Sequence, residues 1–192
     1  MIAQITAPTY TPSDYLTFET SSEIRHEYIN GSIIPMTGGT PSHNLIILNI
    51  ASILHFALKK QGYQVFVTDQ RIWIPDFQVY TYPDVMIVKG DLIFQDGRND
   101  TITNPVVIIE VLSKSTANYD RSQKFLFYRS IPTFQEYILI DQHSISVQHY
   151  QKISATKWEF EEFNQLTDNL QFSSFTCTVT LSDIYEKVVF VE

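Results

Sequence analysis

The stretch that most constrains this chain is Pro105-Val106-Val107-Ile108-Ile109-Glu110-Val111-Leu112, an apolar run broken by a single carboxylate. A continuous β-branched run without polar alternation predicts a strand covered on both faces. Such a strand needs helices on both sides of its sheet, which points to an α/β domain. A second run, Tyr82-Pro83-Asp84-Val85-Met86-Ile87-Val88, also carries one carboxylate near its start. An ionised carboxylate in such surroundings is costly to bury unless it is paired or binds a metal. Asp84 and Glu110 therefore become the first candidate functional residues.

The remaining pattern is consistent with one domain over 11–192, preceded by a loose tail over 1–10. Thr11-Pro12-Ser13-Asp14 predicts a helix start, with Pro in the first turn and Asp14 at the positive end. Asn30-Gly31, flanked by Arg25–Ile29 and Ser32–Met36, is a strong hairpin signal because both turn residues need positive φ. His43 to Lys60 reads as a helix that is apolar on most sides, hence largely buried, with Ser42 as its cap. Short strands are expected at 63–68, 71–74, 82–88, 106–112 and 137–140, and a second helix at 119–130, ending before Pro132. Residues 144–150 and 157–163 read as an added antiparallel pair, and 181–185 as a closing helical turn. The expected architecture is a mixed central sheet flanked by helices, with an N-terminal hairpin.

Composition narrows the function classes. A hydrophobic fraction of 44% excludes a disordered chain. The formal net charge of -8 argues against tight non-specific DNA binding, which depends on many basic phosphate contacts. It leaves room for a nuclease in which metal ions and a local basic patch supply positive charge. The single cysteine, Cys177, fits a reducing cytoplasm. No signal peptide is evident, and no uninterrupted apolar run reaches the roughly 20 residues of a membrane span.

Mg²⁺ or Mn²⁺ prefers hard oxygen ligands and keeps several waters, so few protein groups are required. Asp84 and Glu110 can supply two carboxylates and Val111 a backbone carbonyl. Asp120, Lys124 and Tyr128 are four residues apart and share one helix face. A helix laid on the sheet after the Glu110 strand would point Lys124 back at the strand ends, where its ammonium can orient water or balance phosphate charge. Residues 114–129, with Lys114, Arg121, Lys124 and Arg129 against Asp120, carry a net +3. A patch of that sign in an acidic protein is a natural place for a phosphate backbone.

The series Tyr82-Pro83-Asp84, Ile109-Glu110-Val111-Leu112-Ser113, Tyr119-Asp120-Arg121-X-X-Lys124-X-X-X-Tyr128 and Gln135-Glu136-Tyr137 resembles the Uma2 family. These are nucleases of the restriction-endonuclease-like, PD-(D/E)XK fold. Arg25-His26-Glu27-Tyr28-Ile29-Asn30-Gly31, Gly38-Gly39 and His43 belong to the same resemblance, which covers roughly 12–150 and continues more weakly to the end. It implies metal-dependent cleavage of DNA. It matches Asp84 and Glu110 to the metal carboxylates, Lys124 to the lysine and Glu27 to an acidic position that completes the site. His43 and Tyr128 match recurrent positions without a fixed role. The chain departs from the simple motif at Leu112, where a lysine would stand, so the lysine function falls to Lys124. Ser113-Lys114-Ser115 replaces the more usual Ser-Pro-Ser.

Plainer roles stand beside these. Asp84 can cap a turn, Glu110 and Lys124 can form a structural ion pair, and Lys124 can pair with Asp120 on a solvated face. Glu27 alternates with Arg25 and can form a surface pair. At the level of function, the alternatives are a catalytically silent nucleic-acid-binding or regulatory module of the same fold, and a sugar hydrolase using the two acids as acid and base. Cleavage of both DNA strands would benefit from a homodimer, although no interface is legible in the sequence.

Overall fold

The computed structural model describes residues 9–190. The expected tail therefore lies mostly outside the described residues. Within them, the Tyr10 N–H donates to the Gly31 carbonyl at 2.9 Å, so the chain is already held against the hairpin there.

Helix α1 (Pro12–Ser21) starts at a capping box: the Thr11 hydroxyl accepts from the Asp14 N–H at 3.1 Å, and the Asp14 carboxylate accepts from the Thr11 N–H at 2.8 Å. Strands β1 (His26–Ile29) and β2 (Ser32–Pro35) form the expected hairpin. Asn30 has φ 42° and Gly31 φ 97°, and a Cβ at Gly31 would collide with Thr9. Helix α2 (Pro41–Leu58) is capped by Thr40, not Ser42: the Thr40 hydroxyl accepts from the His43 N–H at 3.1 Å. Pro41 takes the first helical position, where it needs no donor, and that moves the cap back to Thr40.

Next come β3 (Tyr63–Val67), β4 (Arg71–Ile74), a 3₁₀ turn over Pro75–Phe77, β5 (Val79–Thr81), β6 (Val85–Lys89), β7 (Thr101–Ile102) and β8 (Pro105–Leu112). The predicted strand over 82–88 begins later than expected; Pro83 has no N–H to give a ladder, and Tyr82-Pro83-Asp84 forms a corner before β6. The expected second helix over 119–130 is interrupted. Helix α3 (Ala117–Tyr119) passes through a wide π-turn at Asp120–Lys124 into α4 (Phe125–Tyr128). Strands β9 (Glu136–Asp141), β10 (Val147–Lys152), β11 (Trp158–Phe163), β12 (Asn169–Gln171) and β13 (Thr178–Thr180) and helix α5 (Leu181–Ile184) complete the chain.

A six-stranded sheet runs in the order β11-β10-β9-β8-β6-β3, parallel at β8–β9 and antiparallel elsewhere. The hairpin does not extend this sheet; it edges a second, five-stranded one, β2-β1-β5-β4-β7. All eight residues of β8 are buried, as its composition predicts. Alternation along β8 sends Val107, Ile109 and Val111 into the core under α2, while Ile108 and Leu112 join the opposite core with Phe127 and Tyr128 of α4. Glu110 shares the parity of Ile108 and Leu112, which aims it at the α4 side. Helix α2 packs Ile46, Ile50, Leu54 and Leu58 on the sheet, but Leu48 (57% exposed) and Phe56 (75%) face outward. Only one stripe of a helix can meet a sheet, so the all-round apolar pattern overstates its burial.

Candidate active site

The register of β6 against β8 pairs Val85 with Ile109, and one further step sets Asp84 beside Glu110. The contacts agree. The Asp84 N–H donates to Glu110 Oε2 at 3.3 Å, and Asp84 Oδ2 accepts from the Val111 N–H at 2.7 Å. Two acids 26 positions apart in sequence are thus neighbours at the ends of adjoining strands.

Lys124 reaches this point from the π-turn. Its Nζ lies 3.1 Å from Glu110 Oε1, 3.3 Å from Asp120 Oδ1 and 3.6 Å from Glu27 Oε1. The lysine side chain is 9% exposed and the three carboxylates 10% or less. Lys124 and Asp120 are therefore not a solvated surface pair. The Tyr128 hydroxyl donates to Glu110 Oε1 at 2.6 Å, so Asp120, Lys124 and Tyr128 do share one buried face. Glu27 accepts a short hydrogen bond from the Thr81 hydroxyl of neighbouring β5. Its closest cation is Lys124, not Arg25, which pairs with Asp69 at 3.6 Å. His43, in the first turn of α2, places Nε2 3.3 Å from Asp84 Oδ2.

Arg121 is the exception among the predicted residues. Its Nε donates to Gln148 on β10 at 3.3 Å, and it does not line the cleft. The basic stretch over 114–129 does not form one patch: Lys124 is buried among acids, Arg121 turns to β10, and the Arg129 guanidinium lies over the Phe125 ring at 4.8 Å.

Burial pushes the Glu110 carboxyl up to about 8; the Lys124 ammonium opposes this, and the Asp84 and Asp120 charges reinforce it. Burial works against a charged Lys124, yet Glu110, Glu27 and Asp120 outweigh it and hold the ammonium firmly protonated. The His43 ring is likewise desolvated, but the hydrogen bond and charge of Asp84 raise its pKa above the ordinary value. Burial also raises the Tyr128 hydroxyl, with Glu110 adding to the effect, so it acts as a donor.

Glu27, His43, Asp84, Glu110, Asp120 and Lys124 line a cleft of about 530 Å³ between the β1–β2 hairpin, the 36–40 loop, the start of α2 and the 113–124 segment, with Tyr128 buried behind Glu110. Its chemistry suits a hard divalent cation. Four carboxylates, those of Glu27, Asp84, Glu110 and Asp120, meet one ammonium, an excess of negative charge that a further cation would neutralise. Among the described residues, no three His, Cys, Asp or Glu side chains converge as a closed metal cage. An ion that keeps most of its waters needs no cage, and the Asp84–Glu110 pair offers the oxygen donors it prefers. Tyr119 was not legible as a site residue. Its ring lies 5.6 Å from the Lys124 ammonium and its buried hydroxyl has no hydrogen-bond partner. Thr81 was also unforeseen, because its role depends on the pairing of β5 with β1.

Comparison with known proteins adds the lineage. An uncharacterized protein of Synechocystis sp., sll1609, is 39% identical over 173 residues, covering 90% of this chain and 98% of its own. A second from the same organism, slr1290, is 30% identical over 184 residues, covering 95% of each. The crystal structure of an Anabaena variabilis protein, described as a "putative nuclease belonging to DUF820", superposes with a TM-score of 0.77 at 20% identity, covering 94% of this chain and 99% of that one. Its likeness establishes the mixed α/β fold. The Uma2 family pattern, described as "Putative restriction endonuclease", matches residues 12–182, nearly the whole chain. On that match and on the two Synechocystis relatives, the chain belongs to the Uma2 family of restriction-endonuclease-like proteins.

Proposed function

We propose that this protein is an endonuclease that hydrolyses DNA phosphodiester bonds with Mg²⁺ or Mn²⁺. The observation that carries the reading is the meeting of Asp84 and Glu110 on adjoining strands, with the Lys124 ammonium 3.1 Å from Glu110. In this reading Asp84, Glu110 and the Val111 carbonyl hold the metal, with Glu27 completing the set. The bound ion would polarise a phosphoryl oxygen and acidify a coordinated water.

The protein's own groups have distinct tasks. Tyr128 and Lys124 both engage Glu110 Oε1, which leaves Oε2 on the side of Asp84. His43 and the Val111 N–H fix Asp84 through Oδ2. Lys124 has three N–H donors and three carboxylate neighbours. Its contact with Glu27 is the longest, so that hydrogen is the one most available to orient the attacking water or a phosphate oxygen. Asp120 keeps the ammonium in place from one helical turn away. His43, Asp120 and Tyr128 are supporting residues in this scheme.

The test is cleavage of plasmid and oligonucleotide DNA with Mn²⁺ and with chelator, comparing wild type with Glu110→Gln and Lys124→Ala. Metal-dependent cleavage that both variants lose supports the reading. Equal activity in the variants sinks it, and metal-independent binding of DNA without cleavage assigns the fold to a silent binding module instead.

A further inference from the structure

The cleft holds very little positive charge for an enzyme that acts on a polyanion. Among its lining residues Lys124 is the one Lys or Arg, and that ammonium is already shared by three carboxylates. Lys114 is exposed between the lining residues Ser113 and Ser115. Part of the lining is apolar: Ile29, Ile34 and Pro35 come from the β1–β2 hairpin and Met36 from the loop that follows, and Ile34 is 42% exposed. Tyr119 also lines the cleft, with a buried hydroxyl that has no partner. At about 530 Å³ the cleft has the size of a small-ligand site, within the usual range of about 300–1,000 Å³.

Duplex recognition runs on phosphate contacts, and six to ten of them give the steep salt dependence usual for such proteins. This cleft offers one or two. Apart from the acids, Lys124, His43 and the amides of Gln123 and Gln142, the lining is hydrocarbon, backbone and uncharged hydroxyl, which suits the face and edge of a base lifted out of a stack. Bases in a duplex keep their faces covered; those of an unpaired strand do not. Resting on the phosphodiester reading above, we infer that the substrate is single-stranded DNA. One phosphate lies at the acids, with its neighbouring base against Ile34 and Met36.

The decisive experiment uses the full chain in Mn²⁺. It compares kcat/KM for a labelled 20-nucleotide single strand, its blunt duplex, and the same strand with one abasic position, between 50 and 200 mM KCl. The single strand should be cut at least tenfold faster than the duplex. With two phosphate contacts at a slope of about −0.7 each, kcat/KM should fall only about sevenfold across that salt range. Removing the base at the preferred position should lower cleavage there several-fold. Ile34→Ser, a change on an exposed side chain, should lower the single-strand rate about fivefold and narrow the preference over duplex. Duplex cut as fast as single strand, or a salt loss of a thousandfold, would overturn this inference while the phosphodiesterase reading stands. Cleavage of neither form would overturn both.

Discussion

Lys124→Met offers a direct measure of the charge economy of the site. Methionine has a similar length and flexibility, so the packing loss is small. The electrostatic loss is not. The ammonium touches Glu110, Asp120 and Glu27 at 3.1, 3.3 and 3.6 Å, with all four side chains 10% exposed or less. Taking one partner from a buried ion cluster costs about 3–5 kcal/mol, because the charges left behind are neither paired nor hydrated. A domain of ordinary stability has about 5–15 kcal/mol in all. The variant should therefore lose about a fifth or more of its stability in chelator at pH 8, read by urea unfolding through Trp73 and Trp158 fluorescence. The Glu110 carboxyl, already raised by burial, would be raised further without the ammonium, so its cost grows as pH rises and fades as it protonates. The gap between variant and wild type should accordingly narrow toward pH 5. Mn²⁺ at a hundred times its Kd should return about 2.7 kcal/mol to a protein that binds it only when folded. A loss below about 1 kcal/mol at pH 8 would refute the reasoning, since it would mean that Lys124 is solvated or that its acids are already neutral.

Three further outcomes follow from the same geometry. The Glu110 carboxyl is raised to about 8 by burial, so the folded state favours its protonated form. Its contribution is complete below about pH 4.3, the ordinary glutamate value, and declines as pH climbs to about 8. Wild type in chelator should thus lose stability between pH 5 and 8, and Glu110→Gln should flatten that decline, as chemical denaturation at a series of pH values will show. A Cβ at Gly39 would lie 2.7 Å from His43 Nδ1. Gly39→Ala should push the ring off Asp84, bring the His43 pKa seen by NMR back toward about 6.5, and weaken Mn²⁺ binding by calorimetry. Far from the cleft, the fully buried Glu136 accepts from His149 Nε2 at 2.8 Å and from the Ser173 and Ser174 N–H groups at 3.1 and 2.7 Å. His149→Ala should cost about 3–5 kcal/mol by urea unfolding with cleavage chemistry unchanged.

What could be read from sequence divides along a physical line. Features set by one residue's backbone preference or by a continuous apolar run were legible: the Asn30-Gly31 turn, the start of α1 and the twice-covered strand β8. Features set by how two elements meet were not. Glu110 and Asp84 stood out as acids in apolar runs, but their adjacency depends on the register of β6 against β8. The four-residue spacing of Asp120, Lys124 and Tyr128 correctly put them on one face. It said nothing of the π-turn, because one widened turn leaves no mark on so short a pattern. Local charge counting misled for a related reason. A net +3 over 114–129 presumes that each cation faces solvent, whereas the structure spends Lys124 on buried acids and turns Arg121 to Gln148. That dispersal is what the single-strand inference rests on: with its basic stretch dismantled by packing, the site presents little Lys or Arg charge. In that inference the base is read by the apolar side chains of the hairpin, and the hairpin is the part of the site that sequence specified most plainly.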